Sequence, residues 1–161
     1  KSKIVEKAKI HDESLKARDS SIAWMEEDWL YKNIEPFIQE ANKRAGWNFD
    51  WVGSEKYQFT IYKESQFYDW HQDSHNKMID GNIRKLSVTV SLEDGDAYEG
   101  GNLEFDLRNR EDSKSVILSA EQAREKGSII VFPSFVWHRV TPVTKGTRYS
   151  LVIWSVGPPF R

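Results

Sequence analysis

The sequence YQFTIYKESQFYDWHQD, residues 57–73, carries the clearest strand pattern of this chain. Its first six residues alternate along the backbone, and the rest is rich in the aromatic residues that strands prefer. Side chains two positions apart share a face in an extended strand but not in a helix. His71 and Asp73, at the end of the stretch, are therefore predicted to point the same way.

A neutral imidazole beside a carboxylate supplies two of the three ligands in the 2-His-1-carboxylate set that is typical of non-haem Fe(II) sites. The third ligand is predicted to be His138, in the strand-like sequence VWHRV of residues 136–140. The even positions of that strand share one face, so His138 is expected to point inward with two valines. The sequence thus predicts a metal site formed by His71, Asp73 and His138.

His75 is the competing histidine, because it follows His71 by four residues, a spacing that binds zinc on a helix. The β-rich residues before it and the turn sequence DGN at 80–82 argue against a helix there. We interpret His75 as a loop residue.

Arg148 follows His138 by ten residues, after a tight turn, and begins a strand on which Trp154 shares its face. A guanidinium in a pocket is costly without a partner and is well suited to hold a carboxylate with two parallel hydrogen bonds. The position therefore predicts a co-substrate with a distal carboxylate. Taken singly, each of these residues is more often a surface or core residue, and only their combination favours a site.

The fold class is predicted to be mainly β, a double-stranded β-helix or jelly roll of seven or eight short strands with N-terminal helices packed on the sheet. Apolar and polar residues alternate over 86–92 and 103–107, which predicts half-buried strands. Further strands are predicted at 128–132, 136–140 and 148–155, whereas the polar segment 108–127 is expected to form a surface excursion with a short helix at 120–126.

Residues 21–45 have apolar residues at three- to five-residue intervals, which predicts two consecutive helices that Pro36 separates. Ser20 or Ser21 is the expected cap, and Gly46 the expected stop. Residues 1–18 fit either an edge strand or a mobile arm. We expect one domain over 1–161, with the arm and helices in 1–46 and the jelly-roll core in 47–161.

Charge and composition exclude several classes of protein. The chain has 23 Lys and Arg against 25 Asp and Glu, a net charge of −2, which makes nucleic acid an unlikely partner and gives no attraction to an anionic membrane. No apolar run is long enough to span a bilayer and no signal-like segment opens the sequence, so a soluble, cytoplasmic protein is expected. Cysteine is absent, which excludes disulfides, thiolate metal sites and thiol nucleophiles.

Residues 62–73, YKESQFYDWHQD, resemble the tyrosine, tyrosine and His-X-Asp stretch of the Fe(II)- and 2-oxoglutarate-dependent dioxygenases, in the prolyl-4-hydroxylase-like branch. RKLS at 84–87 and YEGGNL at 98–103 are similar to the next strand and turn of that family. The block 132–154 looks like its distal part, and RDSSIAW at 18–24 resembles a motif of its small bacterial and phage members.

This resemblance implies that His71, Asp73 and His138 bind Fe(II), and that Arg148 holds the distal carboxylate of 2-oxoglutarate with Tyr62 and Trp154 nearby. It also implies O₂ as the oxidant and hydroxylation of a C–H bond with release of succinate and CO₂. The substrate would be a protein or peptide side chain such as proline, in the cytoplasm of a bacterial or phage-infected cell.

Three alternatives stay open. A nucleic-acid demethylase of the same superfamily would have a second arginine six residues after Arg148, where this chain has Trp154. A jelly-roll module without catalytic activity is a second alternative, and a zinc hydrolase, which would leave Arg148 unexplained, is the third. Loops such as 74–83 and 108–127 are expected to select the acceptor.

Overall fold

The computed structural model describes residues 17–74, 78–108 and 114–160. Strand residues make up 47% and helix residues 15%, which confirms the mainly β prediction. The elements are β1 (Arg18–Asp19), β2 (Ser21–Met25), α1 (Asp28–Arg44), β3 (Gly53–Ser54), β4 (Tyr57–Tyr62), β5 (Phe67–His71), β6 (Ile83–Ser91), β7 (Tyr98–Gly100), β8 (Leu103–Asp106), β9 (Ile117–Ser119), a 3₁₀ helix (Glu121–Arg124), β10 (Ile129–Pro133), β11 (Trp137–Val140), β12 (Val143–Gly146) and β13 (Arg148–Gly157).

The strands form two main antiparallel sheets. The major sheet has the order β10-β6-β13-β4-β2, with β3 paired to β13, and the minor sheet has the order β1-β5-β11-β8-β9. Strands β7 and β12 form a separate pair. The chain passes repeatedly from one main sheet to the other, as at β4 to β5 and at β10 to β11, which is the connectivity of a jelly roll.

The outer face of the major sheet packs against α1. Leu30, Ile34 and Ile38 recur every four residues along the helix and are buried, as one apolar helix face requires. They pack on apolar sheet residues such as Leu86 and Ile153, both fully buried. Burial of each such side chain contributes about 1.5–3 kcal/mol to the free energy of unfolding, so this layer stabilises the fold.

The inner face of the major sheet is also buried, and there the prediction of half-buried strands is wrong. All residues of β6 from Lys85 to Ser91 are buried, including the polar residues Ser87 and Thr89. The alternation correctly assigned residues to two faces, but the minor sheet covers the polar face as well. Sequence periodicity reports which residues share a face and not what lies above it.

The prediction of two N-terminal helices is also wrong. Ser21–Met25 is strand β2, which pairs with β4, and a single helix α1 begins after Glu27, which takes the capping position expected of Ser20 or Ser21. Pro36 lies inside this helix on its exposed side, where solvent can satisfy the carbonyl that loses its hydrogen bond. The helix ends before Gly46, which has a φ of +70°, as predicted.

The ends and excursions of the chain are partly described. Residues 1–16 lie outside the described ranges, and Arg18–Asp19 forms an edge strand on β5. The excursion 108–127 contains β9, which pairs with β8, and a 3₁₀ helix where the short helix was expected. Within the part of the chain that the structure describes, no helix is long and apolar enough to cross a membrane.

Candidate active site

A cavity lies between the two main sheets. Side chains of β4, β6 and β13 line it from the major sheet, and side chains of β1, β5, β8 and β11 line it from the minor sheet. All six residues that the sequence analysis selected lie in its lining: Tyr62, His71, Asp73, His138, Arg148 and Trp154.

The two histidines are brought together by strand pairing. Strands β5 and β11 run antiparallel, and His71 and His138 are direct partners across the pair, with ring centroids 4.1 Å apart. The pairing is irregular immediately after this pair, between His138 and Val140. Such irregularities often re-aim side chains beside functional sites.

Asp73 completes the cluster two residues beyond His71. Its Oδ1 lies 3.6 Å from the His71 Nε2, and its Oδ2 lies 3.4 Å from the His138 Nε2. One nitrogen or oxygen atom from each residue lies within 4.8 Å of those of the other two. The cluster therefore presents two imidazoles and a carboxylate around one point.

The other nitrogen of each ring fixes its protonation. The His71 Nδ1 lies 2.7 Å from the Asp69 carbonyl oxygen, and the His138 Nδ1 lies 2.9 Å from the Val136 carbonyl oxygen. A carbonyl oxygen only accepts hydrogen bonds, so each Nδ1 carries a proton, and in a neutral ring Nε2 then keeps its lone pair. Both Nε2 atoms can thus bind a metal ion, and the two backbone carbonyls orient the rings for it.

Electrostatic effects also favour a neutral His71 and an ionised Asp73. Burial lowers the pKa of His71 to about 4, with a further contribution from His138, so the imidazole is neutral at neutral pH. Burial alone would raise the pKa of Asp73, but the adjacent His138 and His71 and the Ser87 hydroxyl hold it well below its usual range. A buried carboxylate between two imidazoles fits a divalent cation.

The backbone around Ser134 holds Asp73 in place. The amides of Asp73 and Ser74 both donate to the Ser134 carbonyl oxygen at 2.9 Å, and the Ser134 Oγ lies 2.9 Å from the Ser87 Oγ. Ser134 has no predicted role in the site. Its supporting role depends on contacts about 60 residues away along the chain, which no local pattern reveals.

Arg148 begins β13 and is 5% exposed. Its Nη1 donates to the Ser150 Oγ at 3.1 Å, and its guanidinium lies 5.4 Å from the centroid of the Tyr62 ring. Among the described residues no carboxylate pairs with it. Gly101, at a φ of +59°, packs on this side chain, and a Cβ there would lie 3.1 Å from the Arg148 Cδ. Gly101, the second glycine of YEGGNL, thus leaves room for the arginine.

Trp154 points into the cavity, whereas Trp70 points away from it. Trp154 is buried in the cavity lining, and its indole N–H has no acceptor within the described residues. Trp70 and Trp137, beside the cluster in sequence, lie on the opposite face of the minor sheet and line a separate surface groove with Asp106. Neither contributes to the cavity.

His75 lies outside the described residues, so its interpretation as a loop residue stays a prediction. Arg18, on β1, lines the cavity, although the sequence analysis gave it no role beyond its place in RDSSIAW. Strand β1 has only two described residues, and no periodicity can assign a face to so short a segment.

Fold and cluster together define a class: a jelly roll with a two-histidine, one-carboxylate cluster between its sheets. Comparison with known families then assigns the chain more narrowly. The sequence model of the 2OG-Fe(II) oxygenase superfamily matches residues 57–156, more than half of the chain. The chain belongs to this superfamily.

Individual relatives agree with this assignment. A PKHD-type hydroxylase of Synechococcus sp. (strain CC9311) is 35% identical over 124 residues, which cover 73% of this chain and 52% of that protein. A PKHD-type hydroxylase of Teredinibacter turnerae is 36% identical over 100 residues, which cover 60% of this chain and 40% of the relative. The chain thus spans about half or less of the length of these curated relatives.

Solved structures show the same fold. A Pseudomonas putida prolyl-4-hydroxylase superposes with a TM-score of 0.66 and 21% identity, covering 94% of this chain and 76% of that one. A Trichoplax adhaerens prolyl hydroxylase, solved with a hypoxia inducible factor oxygen degradation domain peptide fragment, superposes with a TM-score of 0.67 and 22% identity, covering 95% and 70%. These similarities confirm the double-stranded β-helix.

Proposed function

We propose that this chain is an Fe(II)- and 2-oxoglutarate-dependent dioxygenase that hydroxylates a C–H bond of a protein or peptide side chain such as proline. One observation carries the proposal: a single cavity contains both the His71, Asp73 and His138 cluster and the buried Arg148, which has no carboxylate partner within the described ranges. A zinc hydrolase would use the cluster but would leave the buried arginine without a purpose.

The cluster would hold Fe(II) through the Nε2 atoms of His71 and His138 and the carboxylate of Asp73. Bound iron would supply O₂ activation and the oxidative decarboxylation of 2-oxoglutarate to succinate and CO₂. The protein contributes positioned ligands, because backbone carbonyls orient both rings and Ser134 fixes the strand end that carries the carboxylate.

Arg148 would hold the distal carboxylate of 2-oxoglutarate through paired, charge-assisted hydrogen bonds. The Ser150 Oγ accepts a hydrogen bond from the Arg148 Nη1, which orients the guanidinium without neutralising its charge. Tyr62, the partner of Arg148 across β4 and β13, and the unpaired indole N–H of Trp154 are further candidate donors to the co-substrate. Leu103, Phe132 and Val140 line the cavity with apolar surface, which would keep bulk water from the reacting groups.

The substrate class rests on similarity. The curated relatives are named hydroxylases and the superposed structures include prolyl hydroxylases, one of them solved with a peptide. A nucleic-acid substrate has less support, because the net charge is −2 and Trp154 stands where the demethylases have a second arginine.

The test is to load the metal-free chain with Fe(II) under anaerobic conditions, add 2-oxoglutarate and O₂, and measure succinate and the mass of added peptides. We expect succinate to form and a proline-containing peptide to gain ~16 Da, one oxygen atom. Peptide hydrolysis with Zn(II), without succinate under Fe(II), would instead identify the chain as a zinc hydrolase. Oxidation of a methylated oligonucleotide in preference to any peptide would identify a demethylase.

A further inference from the structure

The cavity contains a second buried guanidinium, that of Arg18. It lies on β1, in the minor sheet, whereas Arg148 lies on β13 in the major sheet, so the two cations enter the cavity from opposite walls. Arg18 is 8% exposed, and its Nε donates to the Ser20 Oγ at 2.7 Å. No carboxylate among the residues that the structure describes forms an ion pair with it.

Arg18 is held beside the His-Asp-His cluster. It is the register partner of Tyr68 across β1 and β5, and its guanidinium lies 4.6 Å from the centroid of the Tyr68 ring. That ring stacks on His71 with centroids 3.5 Å apart and 13° between the planes. The Tyr68 ring thus contacts both the Arg18 guanidinium and His71, and it holds a positive charge one ring away from the cluster.

A buried guanidinium has five N–H donors and a full charge, and among the described residues a single serine hydroxyl accepts a hydrogen bond from it. Such a group is costly to bury unless an anion pairs with it. In the proposed reaction the distal carboxylate of 2-oxoglutarate is bound by Arg148, and the carboxylate of its oxo-acid end is bound at the cluster. The co-substrate therefore offers no third anion to Arg18.

We propose that Arg18 binds a carboxylate of the primary substrate, so that the protein selects acceptors with an acidic group close to the C–H bond that is hydroxylated. This inference rests on the proposed function. Arg18 is then a substrate-binding residue, and Ser20 and Tyr68 are positioning residues that hold its planar guanidinium toward the cavity.

A direct test observes the Nε–H groups of arginine by NMR in the protein loaded with Zn(II), which is diamagnetic, in place of Fe(II). Signals of Arg18, Arg148 and the surface residue Arg139 are assigned from the single variants to Gln. Arg139 is a matched control, because it pairs with Glu104 on the outer face of the same sheet. We expect 2-oxoglutarate to shift the Arg148 signal and to leave those of Arg18 and Arg139 in place.

Acetate is then added to the 2-oxoglutarate complex as the smallest carboxylate probe, with acetamide as its neutral counterpart. We expect acetate to shift the Arg18 signal with saturation and acetamide to leave it unchanged. Arg18→Gln should weaken acetate binding about 10- to 100-fold, the effect of losing a hydrogen bond to a charged group, while Arg139→Gln leaves it unchanged. The response of Arg148 to 2-oxoglutarate shows in each variant that the cavity is still formed.

A peptide library then tests the consequence for selectivity. Peptides hydroxylated by the iron-loaded wild type should be enriched in Asp or Glu near the modified residue, and Arg18→Gln should reduce this enrichment more than it reduces succinate formation. Arg18→Lys should retain part of it, since the charge remains but the planar fork is lost.

Results that contradict the role of Arg18 can be distinguished from results that contradict the proposed function. If 2-oxoglutarate alone shifted the NMR signal of Arg18, this residue would bind the co-substrate and the inference would be overturned. An Arg18 signal that acetate does not shift would overturn it as well. Hydroxylated peptides without acidic enrichment would also overturn it. Failure of Arg148 to respond to 2-oxoglutarate would instead refute the proposed function, and would do so independently of Arg18.

Discussion

Two buried layers of this protein differ in chemistry although they share the major sheet. The outer layer, between α1 and the sheet, consists of apolar side chains such as Ile38 and Leu86. The inner layer, between the two sheets, combines an apolar cluster with buried polar groups, among them Arg148 and Asp73. Apolar burial stabilises the fold, whereas burial of unpaired charge opposes it, so the inner layer is organised for ligands at some expense of stability.

This contrast makes a general prediction. Substitutions in the inner layer should reduce binding and catalysis with little loss of stability, and substitutions in the outer layer should do the reverse. The four experiments below test the contrast at single residues.

The largest effect is expected at the cluster. His71→Ala, Asp73→Ala or His138→Ala should each abolish succinate formation, because loss of a ligand disrupts the metal geometry that the chemistry requires. Succinate is measured after incubation with Fe(II), 2-oxoglutarate and O₂. His75→Ala is the matched control and should remain active. An inactive His75→Ala with an active His138→Ala would show that the ligand set was assigned incorrectly.

Arg148→Gln should weaken 2-oxoglutarate binding by about 3–5 kcal/mol, or about two to four orders of magnitude, because the distal carboxylate would be buried without a partner. Iron binding and the free energy of unfolding should change little. Arg148→Lys should give an intermediate affinity. The measurement is a titration of the anaerobic Fe(II) protein, followed by the metal-to-ligand absorption of the chelated oxo acid. An affinity equal to that of the wild type would refute the co-substrate assignment.

Ile38→Ala tests the outer layer, since Ile38 is fully buried between α1 and the sheet. The cavity it leaves should lower the free energy of unfolding by about 2–5 kcal/mol, which urea denaturation measures. The affinity of the folded protein for 2-oxoglutarate should stay at the wild-type value. Loss of affinity without loss of stability would show that the two layers are not separable in this way.

The smallest effect is expected for Tyr62→Phe, which removes one hydroxyl from the inner layer. If that hydroxyl donates to 2-oxoglutarate, affinity should fall by about 0.5–1.5 kcal/mol, or up to ~3 for a charged acceptor. The same titration measures it. Unchanged affinity would return Tyr62 to a packing role in its apolar cluster.

Much of the site could be predicted because strand geometry is simple. Strand alternation places His71 and His138 on inner faces, as predicted, whereas Asp73 lies beyond the end of β5 and still reaches the same cluster. The fold class followed from the same alternation. Arg148 follows His138 by only ten residues, yet β12 lies between their strands, and the two residues face the cavity from opposite sheets.

Other features could not be predicted because they depend on pairing between distant segments. Ser21–Met25 has apolar residues that fit a helix, and its pairing with β4 makes it a strand. Pro36 normally ends a helix, but the buried residues on either side of it hold α1 together across the exposed proline. The position of Arg18 depends on β1 pairing with β5, about 50 residues later in the chain.

The pairing of His71 with His138 has a consequence for the dynamics of the minor sheet. The ladder between β5 and β11 is irregular just beyond these residues, so local opening should begin there more easily than in a regular ladder. A metal ion shared by both imidazoles would connect the two strands at this weak point. Amide hydrogen exchange should then slow in β5 and β11 on metal binding and stay constant in α1, so the minor sheet would gain its full rigidity only when the site is filled.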